Sequence, residues 1–207
     1  MAYAADQFKV ELDSALLKNK IPVKHGIITG ASFQKKQEAV SSIQVPLGTY
    51  NSPALDSIVY WFMQKSINLY GECLLKTIAY QQDNFGSTGS GIANLKKFWQ
   101  QNGIDSSALN ISDGSGLSPQ NRVTTFALVQ ALMYAQKQNW YVSFYNALPV
   151  YNNMKLKSGS ISSVRSFAGY YTASNGKKYI LAIVVNNYDA SKGSVTPKIF
   201  KVLDALK

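Results

Sequence analysis

The chain has 207 residues with 46% hydrophobic and 12% aromatic content, a composition typical of folded globular proteins and not of disordered ones. Twenty-one Lys and Arg residues against eleven Asp and Glu give a net charge of +10, which favours anionic partners such as acidic cell-wall polymers. The basic residues are scattered in pairs, so we interpret them as a solvated surface and expect no nucleic-acid interface. No stretch approaches the roughly 20 apolar residues of a membrane span, and the N-terminus has no signal-peptide pattern.

A single cysteine, Cys73, and a single histidine, His25, leave no pattern for a disulfide framework or a Cys/His zinc site. Cys73 lies in an apolar helical run and is predicted to be buried. The sequence has no Gly-x-Ser-x-Gly nucleophile motif that could pair with His25, so we expect any nucleophilic chemistry to use a base other than histidine. The sequence predicts neither a metal nor a cofactor.

The first quarter of the chain is predicted to contain one helix and two strands. Apolar positions at helical spacing predict an amphipathic helix over residues 4–18. Pro22 ends this helix, and residues 23–28 and 39–45 are predicted as short strands.

Two helices follow, separated by a polar break. Ser52 is the predicted N-cap of the first, with Pro53 at the first helical position, and the second is predicted over residues 69–80. The tripeptide Ser66-Ile67-Asn68 then lies at a helix–helix junction, where side chains can point into a cleft. The predicted buried positions are Ala54, Ile58, Val59, Trp61 and Phe62 in the first helix and Leu69, Cys73, Leu74 and Ile78 in the second.

The glycine-rich segment 85–91 lacks the spacing of a phosphate-binding loop, so we interpret it as a flexible connection with a Ser N-cap. It leads into a helix over residues 92–101 that Gly103 ends. Residues 113–118 are predicted to form a tight polar turn capped by Asp113. Helices are then predicted from Thr124 or Thr125 to about residue 138, and over residues 198–206, with a shorter segment over 141–147.

Residues 154–188 are predicted to form an antiparallel hairpin around Asn175-Gly176, with strands over 163–171 and 179–185. The second strand, YILAIVV, is almost wholly apolar and is predicted near the centre of the sheet. The first strand is predicted at or near the edge, with Lys157-Ser158-Gly159 at its start. The element order predicts an α/β (α+β) fold, an antiparallel sheet flanked by helices in three layers.

Three segments together resemble a known family: SPALDSIVYWFMQKSINLYGECLLK, SDGSGLSPQNRVT, and KSGSISSVRSFAGY with its trailing VNNY. The chain resembles the penicillin-recognising serine transferases, in which Ser-x-x-Lys, Ser-x-Asn and Lys-Thr/Ser-Gly motifs converge on one cleft. More closely, it resembles the class C low-molecular-mass penicillin-binding proteins, the D-alanyl-D-alanine carboxypeptidases/endopeptidases. The resemblance extends from about Tyr3 to Leu206 and implies the β-lactamase/transpeptidase-like fold.

The resemblance implies catalytic roles for Ser66 and Lys157. Serine is a weak nucleophile and needs a base, which without histidine can be a lysine whose pKa is lowered by burial or by a second cation. Lys157 would be that second cation, would hydrogen-bond Ser66, and would attract the C-terminal carboxylate of the substrate. Ser66 would relay a proton to the leaving amine.

The remaining motif residues are implied to bind the substrate. Asn68 would bind a substrate amide and the base lysine, and the Ser158 hydroxyl would bind the terminal carboxylate. Gly159 would let the substrate backbone approach closely. The substrate would lie beside the strand as an added strand, so that the backbone of Ser160 pairs with it and donates an oxyanion hydrogen bond.

The chain departs from the family pattern in its nucleophile. Its one Ser-x-x-Lys match, Ser32-Phe33-Gln34-Lys35, lies between two predicted strands and is interpreted as a chance match. We therefore interpret residues 1–207 as the C-terminal part of a transpeptidase-like domain without its Ser-x-x-Lys segment. Ser158 in place of the commoner Thr, and the short segment 149–154, are two further departures.

Three functional hypotheses follow. The first is an acyl-enzyme serine peptidase that acts on peptidoglycan stem peptides, is acylated by β-lactams, and belongs to an exported parent protein. The second is a non-catalytic domain of the same fold that binds the cell wall. The third, nucleic-acid binding, rests on net charge alone and is ranked last. Oligomeric state is not predicted.

Overall fold

The computed structural model describes residues 4–22, 51–189, 191 and 193–207. The chain divides into two compact units, Met1–Asn51 and Ser52–Lys207. In the first unit, helix α1 (Ala4–Lys18) has the predicted bounds. The two predicted strands over 23–28 and 39–45, His25 and the Ser32-x-x-Lys35 match lie outside the described residues.

The second unit contains six described α-helices, which are α2 (Leu55–Lys65), α3 (Asn68–Asp83), α4 (Thr88–Gln101), α5 (Thr125–Gln136), α6 (Tyr141–Ala147) and α7 (Thr196–Asp204). The predicted start of α4 at residue 92 is wrong, because residues 88–91 of the predicted connection already belong to the helix. Its N-cap is Ser87, whose Oγ accepts a hydrogen bond from the Ser90 backbone N–H (3.0 Å). The predicted cap at Thr124 is confirmed, since Thr124 Oγ1 accepts a hydrogen bond from the Ala127 backbone N–H (3.1 Å). Gly103, with φ +86°, follows the end of α4 as predicted.

The predicted start of α2 is wrong. The helix begins at Leu55, two residues after Pro53, so its N-cap is Ala54 and not Ser52. The Ala54 side chain makes no capping hydrogen bond. The Ala54 carbonyl accepts the first hydrogen bonds, from the backbone N–H groups of Ser57 and Ile58. No residue of α2 is fully buried, and Trp61, predicted to be inward, is 50% exposed.

The predicted buried face of α3 is also wrong. Its buried residues are Gly71, Leu75 and Ala79, whereas Leu69 is 67% exposed and Cys73 is exposed. Close backbone approach decides this face: a Cβ on Gly91 of α4 would meet the carbonyl carbon of Leu75 at 3.0 Å. Helices that approach so closely bury their small residues, and a count of apolar residues does not identify that face.

The segment after residue 149 forms a four-stranded antiparallel sheet and not a two-stranded hairpin. The described strands are β1 (Leu109–Asn110), β2 (Arg122–Val123), β3 (Val150–Tyr151), β4 (Met154–Ile161), β5 (Val164–Thr172) and β6 (Lys178–Val185). The sheet has the order β3-β4-β5-β6, and a separate two-residue pair joins β1 to β2. Lys157-Ser158-Gly159 therefore lies in the middle of β4, a strand that was not predicted.

Two details of the predicted hairpin differ in the structure. Gly176 has φ +81° but Asn175 is not left-handed, and the Gly176 N–H donates to the Ala173 carbonyl (2.9 Å). The connection is thus a longer loop with a left-handed glycine and not a two-residue turn. Strand β6, predicted to be central, pairs only with β5 among the described strands, and none of its residues is fully buried.

Helices cover both faces of the sheet, which confirms the three-layer prediction. On one face, Met154, Leu156 and Phe167 pack against Ile199 and Leu203 of α7. On the other face Tyr170 packs against Leu132 of α5 and Leu148, and its hydroxyl donates to the Leu132 carbonyl (2.7 Å). None of the helices in the described part of the chain combines the length and apolar character needed to cross a bilayer.

Candidate active site

Strand β4 places Lys157 on the sheet face opposite α7. Side chains alternate along a strand; because Met154 and Leu156 are buried against α7, Lys157 and Gly159 face the other way. Lys157 is half-buried there, and burial, followed by the nearby charge of Arg165, holds the pKa of its ammonium below the usual value. Both causes disfavour the charged form. Lys157 is thus a lysine that loses its proton more readily than a solvated one.

Two adjoining cavities lie along β4. The first, of about 680 Å³, is mainly apolar, and Lys157, Ser158 and Gly159 lie on its wall together with Leu128 of α5. The second, of about 710 Å³, is more polar and includes Ser160 and Arg122 in its wall. They adjoin because both are lined by Val123, Leu128, Gly159 and Ser166.

The outer edge of β4 is unpaired beyond its first residues. Strand β3 pairs with Met154 and Lys155 only, so from Lys157 onward β4 pairs with β5 alone among the described strands. The prediction that the strand over residues 163–171 lies at or near an edge is wrong, because that strand is β5 and pairs with both β4 and β6. The open edge belongs instead to β4, which carries the Lys-Ser-Gly motif. Such an edge presents free backbone groups to an added strand.

The backbone direction at this edge can be read from one hydrogen bond. The Leu156 N–H donates to the Pro149 carbonyl on the β3 side (2.9 Å). Backbone groups of an antiparallel strand alternate between its two neighbours, so Ser158 and Ser160 direct their N–H groups toward the same open side. The edge therefore offers the Ser160 N–H to a ligand.

Gly159 and Ser158 have contacts within the sheet. A Cβ on Gly159 would lie 2.5 Å from Ser166 Oγ, its partner on β5, so the glycine leaves room for that hydroxyl. The Ser158 side chain lies on the α7 face with its partner Phe167, opposite Lys157, and its hydroxyl donates to Tyr151 Oη (3.2 Å).

Ser66 and Asn68 occupy the predicted helix junction. Ser66 is the exposed C-cap of α2, with φ +53° and ψ +47°, a left-handed conformation that few non-glycine residues adopt. Asn68 is the first residue of α3. With its side-chain amide assigned so that the nitrogen faces them, it donates to the backbone carbonyls of Ser115 (3.1 Å) and Ser66 (3.2 Å). The described hydrogen bonds join neither residue to Lys157, and neither lines the two cavities.

The 113–118 turn that Asn68 contacts is organised by Asp113, as predicted. Its carboxylate accepts hydrogen bonds from the backbone N–H groups of Gly116 (2.6 Å) and Ser118 (2.8 Å), and from the Asn121 amide (3.0 Å). Burial raises the pKa of Asp113, but these hydrogen bonds outweigh burial and the net shift is downward. The carboxylate thus stabilises a turn on which Asn68 rests.

Glu72, which lies one helical turn after Asn68, was not predicted as a site residue. Its carboxylate accepts hydrogen bonds from the Gly114 N–H and from Thr88 Oγ1. The spacing Asn68–Glu72 was a usable signal, because residues four apart lie on the same helix face.

Residues 2–206 match the model of the D-Ala-D-Ala carboxypeptidase 3 (S13) family. A D-alanyl-D-alanine carboxypeptidase of Actinomadura sp. is 27% identical over 94% of this chain and 38% of its own length. The D-alanyl-D-alanine carboxypeptidase DacB of Haemophilus influenzae is 24% identical over 69% of this chain and 34% of its own length.

Solved structures share the fold. Penicillin-binding protein 4 of Haemophilus influenzae, in complex with a β-lactam, has a TM-score of 0.65 at 23% identity, over 72% of this chain and 41% of the other. A predatory peptidoglycan endopeptidase of Bdellovibrio bacteriovorus has a TM-score of 0.51 at 19% identity, over 73% and 42%. These likenesses confirm the transpeptidase-like fold.

The chain spans less than two fifths of the length of the two curated relatives it matches. The family match nevertheless runs over nearly every residue and agrees with the resemblance seen in the three sequence segments. The chain belongs to the D-Ala-D-Ala carboxypeptidase 3 (S13) family.

Proposed function

We propose that this chain forms part of a serine-type D-Ala-D-Ala carboxypeptidase/endopeptidase that acts on peptidoglycan stem peptides through an acyl-enzyme and is acylated by β-lactams. The observation that carries the proposal is the half-buried Lys157, with its lowered pKa, on an open strand edge. Because the substrate lies outside the cytoplasmic membrane, the parent protein would be exported.

In this proposal Lys157 binds the carboxylate at the C-terminus of the substrate. Partial burial strengthens that attraction, since less water screens the two charges. Lys157 also disfavours the protonated form of a second lysine, the base, in the assembled site. Ser66 relays the proton to the leaving amine, and Asn68 holds a substrate amide and the base lysine.

The open edge of β4 supports the binding mode. A substrate added as a strand beside residues 158–160 would receive the backbone hydrogen bonds that β4 leaves free. The outward Ser160 N–H would donate to the oxyanion, and loss of one such donor typically costs about 3–4 kcal/mol in the barrier. The Ser158 hydroxyl, which lies with Tyr151 Oη on the face opposite Lys157, would turn toward the strand edge to bind the carboxylate.

We further propose that the nucleophile is not Ser32 and comes from a Ser-x-x-Lys segment of the longer parent protein. The share of the relatives' length that this chain spans supports this assignment. The 207-residue chain alone should form no covalent adduct with a labelled penicillin. Stoichiometric labelling that maps to Ser32 would refute the assignment.

The full-length parent tests the role of Lys157. Wild-type parent should be labelled, and Lys157→Met should lower the acylation rate by at least about a hundredfold, the usual scale for loss of a catalytic acid–base or electrostatic group. Lys198→Met, on the exposed side of α7, makes the same chemical change away from the site and should leave the rate unchanged. Equal rates for the two variants would contradict the proposed role.

A second candidate function is a non-catalytic cell-wall-binding domain, which the net charge of +10 favours. The two candidate functions predict different sequences for the parent protein. A Ser-x-x-Lys motif upstream of Met1 would support the enzyme, and a parent without that motif would support the binding domain.

A further inference from the structure

The first turn of α3 is held by a carboxylate that bridges three elements. Glu72 Oε2 accepts a hydrogen bond from the Gly114 N–H in the 113–118 turn (2.9 Å). Glu72 Oε1 accepts one from Thr88 Oγ1 at the start of α4 (2.5 Å). The Lys76 ammonium lies 3.7 Å from the same oxygen, on the side toward solvent.

The backbones of α3 and the 113–118 turn also meet without side chains between them. A Cβ on Gly71 would collide with the carbonyl oxygen of Gly114, and a Cβ on Gly114 would collide with that of Gly71. One residue further along the turn, the Ser115 carbonyl accepts the hydrogen bond from the Asn68 amide. Glu72 and Asn68 thus bind adjacent residues of the same turn.

From this geometry we propose that Glu72 is a positioning residue: by fixing Gly114 against α3 it fixes Ser115, and so sets the orientation of the Asn68 amide used in acyl transfer. The inference rests on the proposed function of Asn68, but the contacts of Glu72 with Gly114 and of Asn68 with Ser115 do not depend on that function.

The two donors explain why the residue is a carboxylate. Each carboxylate oxygen of Glu72 accepts one hydrogen bond, whereas a glutamine has one accepting oxygen and would turn an NH₂ group toward the other donor. The hydrogen bonds from Thr88 and then Gly114 lower the pKa of Glu72, against burial and the nearby Asp113, so the group is ionised at neutral pH. Hydrogen bonds to an ionised acceptor are the stronger kind.

If Glu72 had a purely structural role, it would stabilise the fold without acting on Asn68. The structural role and the positioning role predict different kinetics of penicillin acylation. A structural defect removes folded protein, so it lowers the stoichiometry of penicillin labelling and leaves the constants of the remaining protein unchanged. A positioning defect keeps full stoichiometry but raises the half-saturating ligand concentration and lowers the maximal acylation rate.

The experiment uses full-length parent carrying Glu72→Gln, with Asp83→Asn as the matched control. Asp83 ends the same helix, is exposed, and accepts one hydrogen bond from Asn94. E72Q should be labelled to full stoichiometry, with the ratio of acylation rate to half-saturating concentration about tenfold lower, as expected for one charge-assisted hydrogen bond. D83N should match wild type. Thr88→Ala removes one donor and should show a smaller change in the same direction if E72Q does not fold.

A double-mutant cycle separates action through Asn68 from independent action. In an Asn68→Ala background, E72Q should change acylation by less than about twofold, because the group it positions is already gone. The same tenfold loss in both backgrounds would overturn the proposal, as would lost stoichiometry with unchanged constants.

A second measurement, on the 207-residue chain, tests whether Glu72 orients the Asn68 amide, and its result does not depend on the function of the chain. In NMR spectra, E72Q should shift the side-chain amide signal of Asn68, assigned by its loss in N68A, and D83N should not. If wild-type parent is never acylated, the proposed function fails and this signal alone decides. An unmoved Asn68 signal in E72Q would overturn the proposal.

Discussion

Lys157 combines a cost in folding stability with the catalytic role that we propose for it. Its ammonium is half-buried on β4, near a second cation, Arg165. Arg165 stacks on the Phe167 ring at 4.8 Å, and its Nε is buried without a partner among the described residues. Polar and charged groups in such surroundings cost folding free energy, and perturbed groups of this kind cluster at functional sites.

Arg165→Gln should raise the pKa of Lys157. The substitution removes the charge that disfavours the ammonium, whereas the larger cause, burial, stays, so the pKa should remain below the usual value of 10.5. A titration of the Lys157 side chain by NMR measures the change. Arg122→Gln, on β2, removes the same charge elsewhere and serves as the control. An unchanged Lys157 titration in R165Q would contradict the contribution of Arg165.

Lys157→Met should raise the thermal unfolding midpoint at neutral pH. The pKa of Lys157 is lower in the folded chain than its usual 10.5, so between the two values the unfolded chain binds more protons and stability rises with pH. Below the folded pKa the full penalty of the buried charge is present, and Met removes it. The advantage of K157M over wild type should therefore shrink as pH rises through the folded pKa toward 10.5. Lys198→Met should show no such trend.

Helix α3 illustrates how an element is placed by contacts that run far along the chain. Its first turn meets the 113–118 turn through the Glu72–Gly114 hydrogen bond, which joins residues 42 positions apart. Its middle lies close to α4 at Gly91. Small residues make both approaches possible, so the buried face of α3 is its glycine and alanine face, and the larger Leu69 stays exposed.

Gly71→Ala should destabilise the chain. The added Cβ would collide with the Gly114 carbonyl, a backbone atom that cannot move aside without shifting the turn. Overpacking of this kind typically costs about 1–3 kcal/mol, which lowers the unfolding midpoint by about 2–4 °C per kcal/mol in a domain of this size. Thermal unfolding measures the change.

Gly89→Ala is the matched control for that substitution. Gly89 lies in the first turn of α4, and a Cβ there would have open space around it. Because alanine has the higher helix propensity, G89A should stabilise the chain, by up to about 1 kcal/mol. A loss of stability in G89A as large as that in G71A would show that the Gly71–Gly114 contact is not the cause.

At the scale of the whole molecule, the net charge of +10 applies to the chain as a unit. Exposed charges attract an anionic polymer over a distance that salt shortens, to about 10 Å at 0.1 M and about 3 Å at 1 M. The charge belongs to no single tract, so it would act on the approach of an anionic polymer to the whole chain and not on the Lys157 site.

Binding of the chain to insoluble peptidoglycan should therefore weaken with added salt. Between about 0.05 M and about 0.5 M salt the bound fraction in a sedimentation assay should fall severalfold, since the Debye length shortens over that range. The same assay with acetylated chain, whose lysines are neutral, gives the control. Binding that is insensitive to both salt and acetylation would show that the charge is not responsible.

The sequence predicted features that local hydrogen bonds decide. They are the cap at Thr124, the Asp113 turn and the bounds of α1, which depend on residues within five positions of each other. Strand β4 was missed because Ser-Gly-Ser has little intrinsic strand preference, and its pairing with β5 imposes the extended conformation. Glu72 was missed because both of its partners are distant in sequence.

By itself the sequence determined the family motifs, their order, and the helix junction that carries Ser66 and Asn68. The tertiary structure alone decided three properties of the candidate site: the open edge of β4 beyond Lys157, the burial that lowers the pKa of that lysine, and the turn against which Asn68 rests. The physical reason is common to all three. Strand pairing, desolvation and close backbone approach depend on groups far apart in the chain, and they arise only when the fold brings those groups together.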